Sequence, residues 1–382
     1  MKKTLLTTLG LACAAAAHAQ SSVTLFGVID TGVQYGSGSV SKRTAVQGVG
    51  GNLATRLGFR GTEDLGGGLA ASFWLEAGLN SDDGTGAASS ANNQAVGAFN
   101  PATGANPAVR SGTQGLTFNR RSTVSLSGGF GEIRVGRDFT PSFWNHAFDP
   151  FTLLGVGAAL EYTAGLRVNG PTDGTLARAS NSVGYFLPDN LGGFYGQAMY
   201  ALGENASNSA NAGDGRYVGF RVGHRQGPWN VAFASGKTSQ TIKATAGGSY
   251  TDTSIAGSYD FGVARAIAIY DLQKQQQASG AGSADRASRG WMMAVTVPVG
   301  VGLVKVSYGV SKKTDASVAS VDGNKASQLA LGYVHNLSQR TALYATWAQV
   351  RNSGGSSFAV GGGVTGANQS ASGIDLGIRH SF

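Results

Sequence analysis

The sequence is poor in cysteine, in charge and in long apolar runs, and each shortage excludes something. The single cysteine among 382 residues is Cys13, which lies inside an N-terminal leader pattern. Lys2 and Lys3 precede an apolar stretch that closes on Ala17-His18-Ala19, so residues 1–19 read as a secretory signal peptide with Gln20 as the first mature residue. The mature chain then has no disulfide, thiolate chemistry or cysteine-based metal site. Charged residues make up only 13 % of the chain, and removing Lys2 and Lys3 takes the net charge from +8 to +6. No basic tract of the kind nucleic-acid binding requires is present. Beyond residue 20 no apolar run approaches the length of a membrane-crossing helix, which leaves membrane strands untouched as a possibility. The five histidines, His18, His146, His224, His335 and His380, are far apart and form no metal-ligand spacing or nucleophile-base motif. Neither a cofactor nor enzymatic activity is expected.

What the chain has in abundance is glycine, 60 residues of it, and alternation. A mean hydropathy of -0.06 conceals polar and apolar residues exchanging places at period two. In VTLFGVIDTGVQY, residues Val23, Leu25, Ile29, Val33 and Tyr35 share one face, with Thr24, Asp30 and Gln34 on the other. Comparable segments follow near 53–61, 69–80, 120–128, 131–139, 181–189, 193–204, 217–226, 229–239, 251–261, 263–275, 289–299, 301–313, 326–337, 340–351 and 374–382, sixteen with the first. Short connections such as EDLGGG, SGGFGE and PVGVG alternate with long ones rich in Gly, Ser, Ala and Asn. No linker divides the chain, so residues 20–382 are expected to form one domain.

An apolar face on many strands, without enough residues to cover it, suits hydrocarbon. There every backbone amide still needs a partner, which a sheet achieves only by closing. The expected fold is therefore all-β, a transmembrane antiparallel barrel of sixteen strands, too wide to fill with its own side chains. The final segment IDLGIRHSF suits a strand that pairs with the first. One connection differs from the others. After Arg137 come some forty residues without period, carrying Phe143, Trp144, Phe148, Phe151 and Leu154, which need a surface to pack on. This loop is expected to fold into the lumen and narrow it.

Four stretches, VTLFGVIDTGVQY, RLGFRGTEDLGGGLAASFWLEAGLN, GEIRVGR before a loop beginning FTP, and the ending GIRHSF, occur in an order that resembles the general trimeric porins of Gram-negative outer membranes. The resemblance covers the whole mature chain and is nearest to the branch found in Burkholderia, Bordetella and their relatives. It implies a homotrimer in outer-membrane lipid and lipopolysaccharide, with the third extracellular loop folded into each lumen. Basic wall residues would face acidic loop residues across an eyelet that passes ions and small hydrophilic solutes. Carried over residue by residue, the wall supplies Arg56, Arg60 and Arg137, and the loop Asp149 and Glu161. Two departures stand out. The loop lacks the Pro-Glu-Phe-Gly-Gly run of the enteric relatives. The strand after it, read as NSVGYFLPD, offers no arginine, so the eyelet is either less basic than in those relatives or draws its third charge from Arg121.

Alternation speaks to the same residues. With Leu57 and Phe59 toward lipid, Arg56 and Arg60 point inward, as do Glu76 beside Trp74, and Arg134 between Ile133 and Val135. Strict parity sends Arg137 outward, against the resemblance, unless the strand bulges at Gly136. The basic candidates outnumber the acidic ones, so a general diffusion channel with a modest anion preference is expected. A substrate-selective channel is the first alternative, a surface adhesin the second.

Overall fold

The computed structural model describes residues 22–87, 89, 93, 115–163, 175–208, 212–243, 246–277, 285–315 and 323–382. The leader at 1–19 and parts of the connection at 81–120 lie outside these residues. Among the described residues, seventeen strand segments join in one antiparallel sheet. They are β1 (Ser22–Ser37), β2 (Lys42–Val46), β3 (Arg56–Gly66), β4 (Leu69–Gly78), β5 (Arg121–Gly128), β6 (Gly131–Phe139), β7 (Arg178–Phe186), β8 (Phe194–Ala201) and β9 (Tyr217–Gln226). They continue with β10 (Trp229–Lys243), β11 (Ala246–Asp260), β12 (Arg265–Gln277), β13 (Arg286–Val299), β14 (Gly302–Asp315), β15 (Asn324–Asn336), β16 (Thr341–Ser353) and β17 (Ala371–Ser381). Each strand from β3 onward pairs with the next, and β1 pairs with β17 from Val28↔Ser381 to Ser37↔Ser372, which closes the barrel.

The barrel has sixteen staves because β2 and β3 are two pieces of one. The lower half of β1 pairs with β3, ending at Val28↔Arg56, and its upper half pairs with β2, beginning at Val33↔Val46. Between them residues 47–55 leave the wall. Asp30, at the gap, holds this excursion: its carboxylate accepts from the backbone N–H of Asn52 at 2.9 Å and Leu53 at 2.6 Å, and from the Tyr344 hydroxyl at 2.7 Å. By sequence alone 36–52 reads as an uninterrupted loop, because glycines at 48, 50 and 51 mask the short KRTAV strand.

Alternation sorts the side chains as hydrocarbon requires. Val124 is 64 % exposed on the outer surface, while its neighbours Thr123 and Ser125 are 5 % exposed and face inward. Leu25, Val135, Phe220, Ile255, Val295, Leu331 and Leu376 continue the outer apolar surface. Trp229, Tyr259 and Phe261 cluster on it, with ring centroids 4.5 Å apart at each contact. Trp74, Tyr217 and Tyr344 turn inward instead; the last two are buried.

The connection between β6 and β7, L3, carries two single-turn helices, α1 (Phe143–His146) and α2 (Leu160–Thr163). Residues 140–163 lie inside the barrel against the inner face of β10–β17. Phe151 packs on Ala330 and Ala348, Leu160 on Ala326 and Val350, and Ala159 on Ala256, Ile269 and Met292. Polar contacts fix the path. Asn145 donates to the carbonyls of Ala232 and Ser254, Gln328 to those of Val156 and Ala158, and the Val156 N–H to Asp375 at 2.7 Å. The wall is built from small residues where the loop runs. A Cβ on Gly290 would fall 2.2 Å from Glu161 Cβ, and one on Gly332 2.7 Å from the Phe151 ring.

Candidate functional site

With L3 against β10–β17, the open half of the lumen is bounded by the inner faces of β3–β9. Among the described residues, two charged groups line it. In the upper one, Glu76 on β4 is 5 % exposed and lies between two guanidiniums, with Arg120 Nε at 2.5 Å and Arg56 Nε at 3.9 Å. The Trp74 indole donates to its other oxygen at 3.1 Å. Arg178, the first residue of β7, stacks over Phe139 at 4.4 Å, and Arg120 flanks the same ring at 5.8 Å. Arg178 is also within electrostatic reach of Glu76 and of Tyr162 on α2. Three guanidiniums therefore gather around one carboxylate where the wall meets L3.

The lower group is more nearly balanced. Arg134 forks onto Glu132, at 3.0 and 2.9 Å, and reaches Asp138 at 2.5 Å, with its guanidinium 3.9 Å over Phe186. Arg121 lies 3.7 Å from Asp138 and 4.6 Å over Trp74. Arg60, exposed, sits over Phe26 and Trp74. Arg221 on β9 packs over Tyr195 and donates to Asn145 of L3 at 2.9 Å.

The residues singled out from sequence fall into three places. Arg56 and Glu76 belong to the upper group; Arg60, Arg121 and Arg134 line the wall below it. Arg137 keeps the outward parity, in register with Ser122, and its guanidinium bonds the Asn119 carbonyl at 2.5 Å and the Ser180 hydroxyl at 2.7 Å. A bulge does lie beside it. The β6–β7 register shifts between Gly136 and Asp138, and Gly136 adopts φ +127°, where a Cβ would meet the Ser122 carbonyl at 2.1 Å. The extra residue sits on β7, however, so Arg137 is not rotated inward.

Asp149 and Glu161 lie beneath L3. Asp149 accepts from the backbone N–H groups of Phe151, Leu153 and Ala159, at 3.0, 3.0 and 2.9 Å, and staples the loop to itself. Burial pushes its carboxyl above the usual range. Glu161 is fully buried against the wall at Gly290, and the same desolvation pushes it up to about 7. For His146, burial works against the charged ring, but the hydrogen-bonded Asp252 carboxylate outweighs it and the net shift is upward. These loop acids face the wall.

Arg120 and Arg178 are absent from the candidates that sequence supplies. Arg120 stands just before β5, where alternation assigns no direction to a side chain. Arg178 is hidden when the strand is read from 181. The run LARAS ahead of NSVGYF already alternates, and extending the strand backward through it supplies the arginine that NSVGYFLPD lacks.

The profile of the family described as Gram-negative porin matches residues 6–355. The chain is 36 % identical to outer membrane porin protein 32 of Delftia acidovorans, with all of both chains covered. It is 28 % identical to an outer membrane porin protein of Bordetella pertussis, again over the full length of both. Among solved structures it resembles the anion-selective porin from Comamonas acidovorans, with a TM-score of 0.77 and 34 % identity, covering 95 % of this chain and 100 % of that one. OmpT of Vibrio cholerae, at 15 % identity and a TM-score of 0.66, shares the fold. A closed sixteen-stave sheet with an apolar exterior, a polar lumen and a loop laid along its inner wall is thus the architecture of an outer-membrane channel, and the chain belongs to the Gram-negative porins.

Proposed function

We propose that this porin is a general diffusion channel with an anion preference, acting as a homotrimer in an outer leaflet of lipopolysaccharide. The observation that carries the preference is the upper charged group: Arg56, Arg120 and Arg178 around Glu76, with Asp149 and Glu161 turned away beneath L3. Guanidiniums stay charged under all physiological conditions, so the local field favours anions. The similar porin of Comamonas acidovorans is anion-selective, which supports the same reading. Zero-current potentials across a KCl gradient test it; a cation-selective channel would refute it. Trimerisation rests on the resemblance to trimeric porins, and a native mass of one chain from a heat-modifiable, folded preparation would count against it.

A second reading has its own support. Below the constriction, guanidiniums alternate with aromatic faces: Arg60 and Arg121 on Trp74, Arg134 on Phe186, Arg221 on Tyr195. Such a track suits planar carboxylates. Current carried by an aromatic carboxylate that saturates with concentration, where chloride current does not, would favour a substrate-selective channel.

A further inference from the structure

Ion passage through the lumen does not account for one buried cluster behind L3. Where α1 meets the wall, His146 of L3 faces Asp252 on β11 and Asp271 on β12, all three buried. His146 Nε2 is 3.1 Å from Asp252 Oδ2 and 3.9 Å from Asp271 Oδ1, and the three ligand-capable atoms all fall within 4.8 Å of one another. Hydrogen bonding satisfies this group only in part: His146 Nε2 pairs with Asp252 Oδ2, and Asp271 Oδ2 accepts from Gln273. His146 Nδ1, Asp252 Oδ1, Asp271 Oδ1, Gln273 Oε1 and both carboxylate oxygens of the neighbouring Glu161 have no hydrogen-bond partner among the described residues. Buried polar atoms left without a partner are costly, and several together call for an ion or water among them.

We propose that His146, Asp252 and Asp271 bind one divalent transition cation, Zn2+ by the chemistry of the donors, which clips L3 to the barrel wall. The edges of the ligand triangle bracket the roughly 3.3 Å expected between donors about 2.0 Å from a tetrahedral zinc. Calcium and magnesium take oxygen ligands in larger number, whereas an imidazole with two carboxylates suits zinc. Two carboxylates and a neutral imidazole balance the dication. Glu161 lies close enough to His146 to act on it electrostatically, and both its carboxylate oxygens are without a hydrogen bond. Gln273 donates to Asp271 Oδ2 at 2.8 Å and so fixes the orientation of that ligand. The donors come from residues 146, 252 and 271, a spacing no sequence motif describes. Since His146 is fully buried, the ion enters as the loop seats.

The alternative is a site held by protons alone, with one shared between Asp252 and Asp271. The two are separated by refolding the full chain in detergent with ZnCl2, dialysing, and measuring bound metal on protein whose barrel is folded by heat-modifiability. The native sequence should retain about one equivalent per chain, and His146→Gln and Asp271→Asn should lose it. Gln273→Leu, which removes the orienting bond to Asp271 together with a long contact to the Glu161 carbonyl, should weaken zinc affinity about tenfold or more. His146 lies on the loop, so its variant leaves the closing strands intact even if Asp271→Asn does not fold. His224, His335 and His380 are outside the cluster, and substituting all three should leave the equivalent in place. A native protein without retained zinc, or a His146→Gln protein that retains as much as native, overturns the proposal.

Discussion

The ion pair of Arg120 with Glu76 allows a test in which two opposite changes and their combination are all predicted. The charges lie 2.5 Å apart, so a permeating ion some way off feels them as a small dipole. Arg120→Gln lowers the charge of the group around Glu76 by one unit, and Glu76→Gln raises it by one. At about 5 Å in water a unit charge contributes about 0.8 kcal/mol, reduced to about 0.5 kcal/mol by a screening length of about 10 Å at 0.1 M salt. That changes the local concentration of a monovalent ion about twofold, in opposite directions for chloride and potassium, so the permeability ratio moves about fivefold. In 1 M KCl, where screening acts over about 3 Å, the shift should shrink below about twofold. Zero-current potentials in planar bilayers give the ratio directly. Arg120→Gln should reduce the anion preference, Glu76→Gln should raise it by a similar factor, and the double variant should return close to native. If the double variant instead adds the two shifts in one direction, or neither single variant alters the potential in dilute salt, the pair does not line the ion path.

Three further perturbations address the loop and the outer wall. Gly290→Ala places a methyl against Glu161 Cβ, so L3 should lift and open-channel current noise should rise while the barrel stays folded. Phe151→Ala removes a ring that is 3 % exposed and packed on Ala330 and Ala348; it should loosen loop docking by about 3 kcal/mol, read as faster protease cleavage within L3. Leu376→Arg, on the outer face of β17, should cost about 2–4 kcal/mol of barrel stability if that position is near the bilayer midplane, measured by urea unfolding in lipid vesicles.

Much of the wall is legible in the sequence because each strand has one face in hydrocarbon, and a period of two is all that is needed to read it. Arg56, Arg60, Glu76, Arg121 and Arg134 have the parity that alternation assigns them. Legibility fails where the chain leaves the wall. The KRTAV strand is hidden among glycines, and Arg178 sits where β7 emerges from L3, before its alternation is long enough to notice. Asp149 and Glu161 do lie on the expected loop, but a segment without period carries no sign of which way a side chain turns. Here Asp149 is claimed by three backbone N–H groups and Glu161 by the space above a glycine. Tyr217 and Tyr344 are buried inside, Tyr344 as the donor to Asp30.

The seating of L3 also has a consequence for the order of assembly. The loop occupies residues 140–163, yet nearly every surface it rests on comes from strands between Trp229 and Ser381. During synthesis the loop emerges long before its bed exists. Contacts of such large sequence separation form late and slowly. The narrow passage is therefore assembled after the wall, and a barrel that closes with β15–β17 out of register would leave L3 without the alanine-lined bed and the Asp375 anchor it needs. Its wide, unrestricted hole would admit molecules the native channel excludes, so uptake of a large dye or antibiotic by intact cells would report errors in strand register that measurements of total secondary structure would miss.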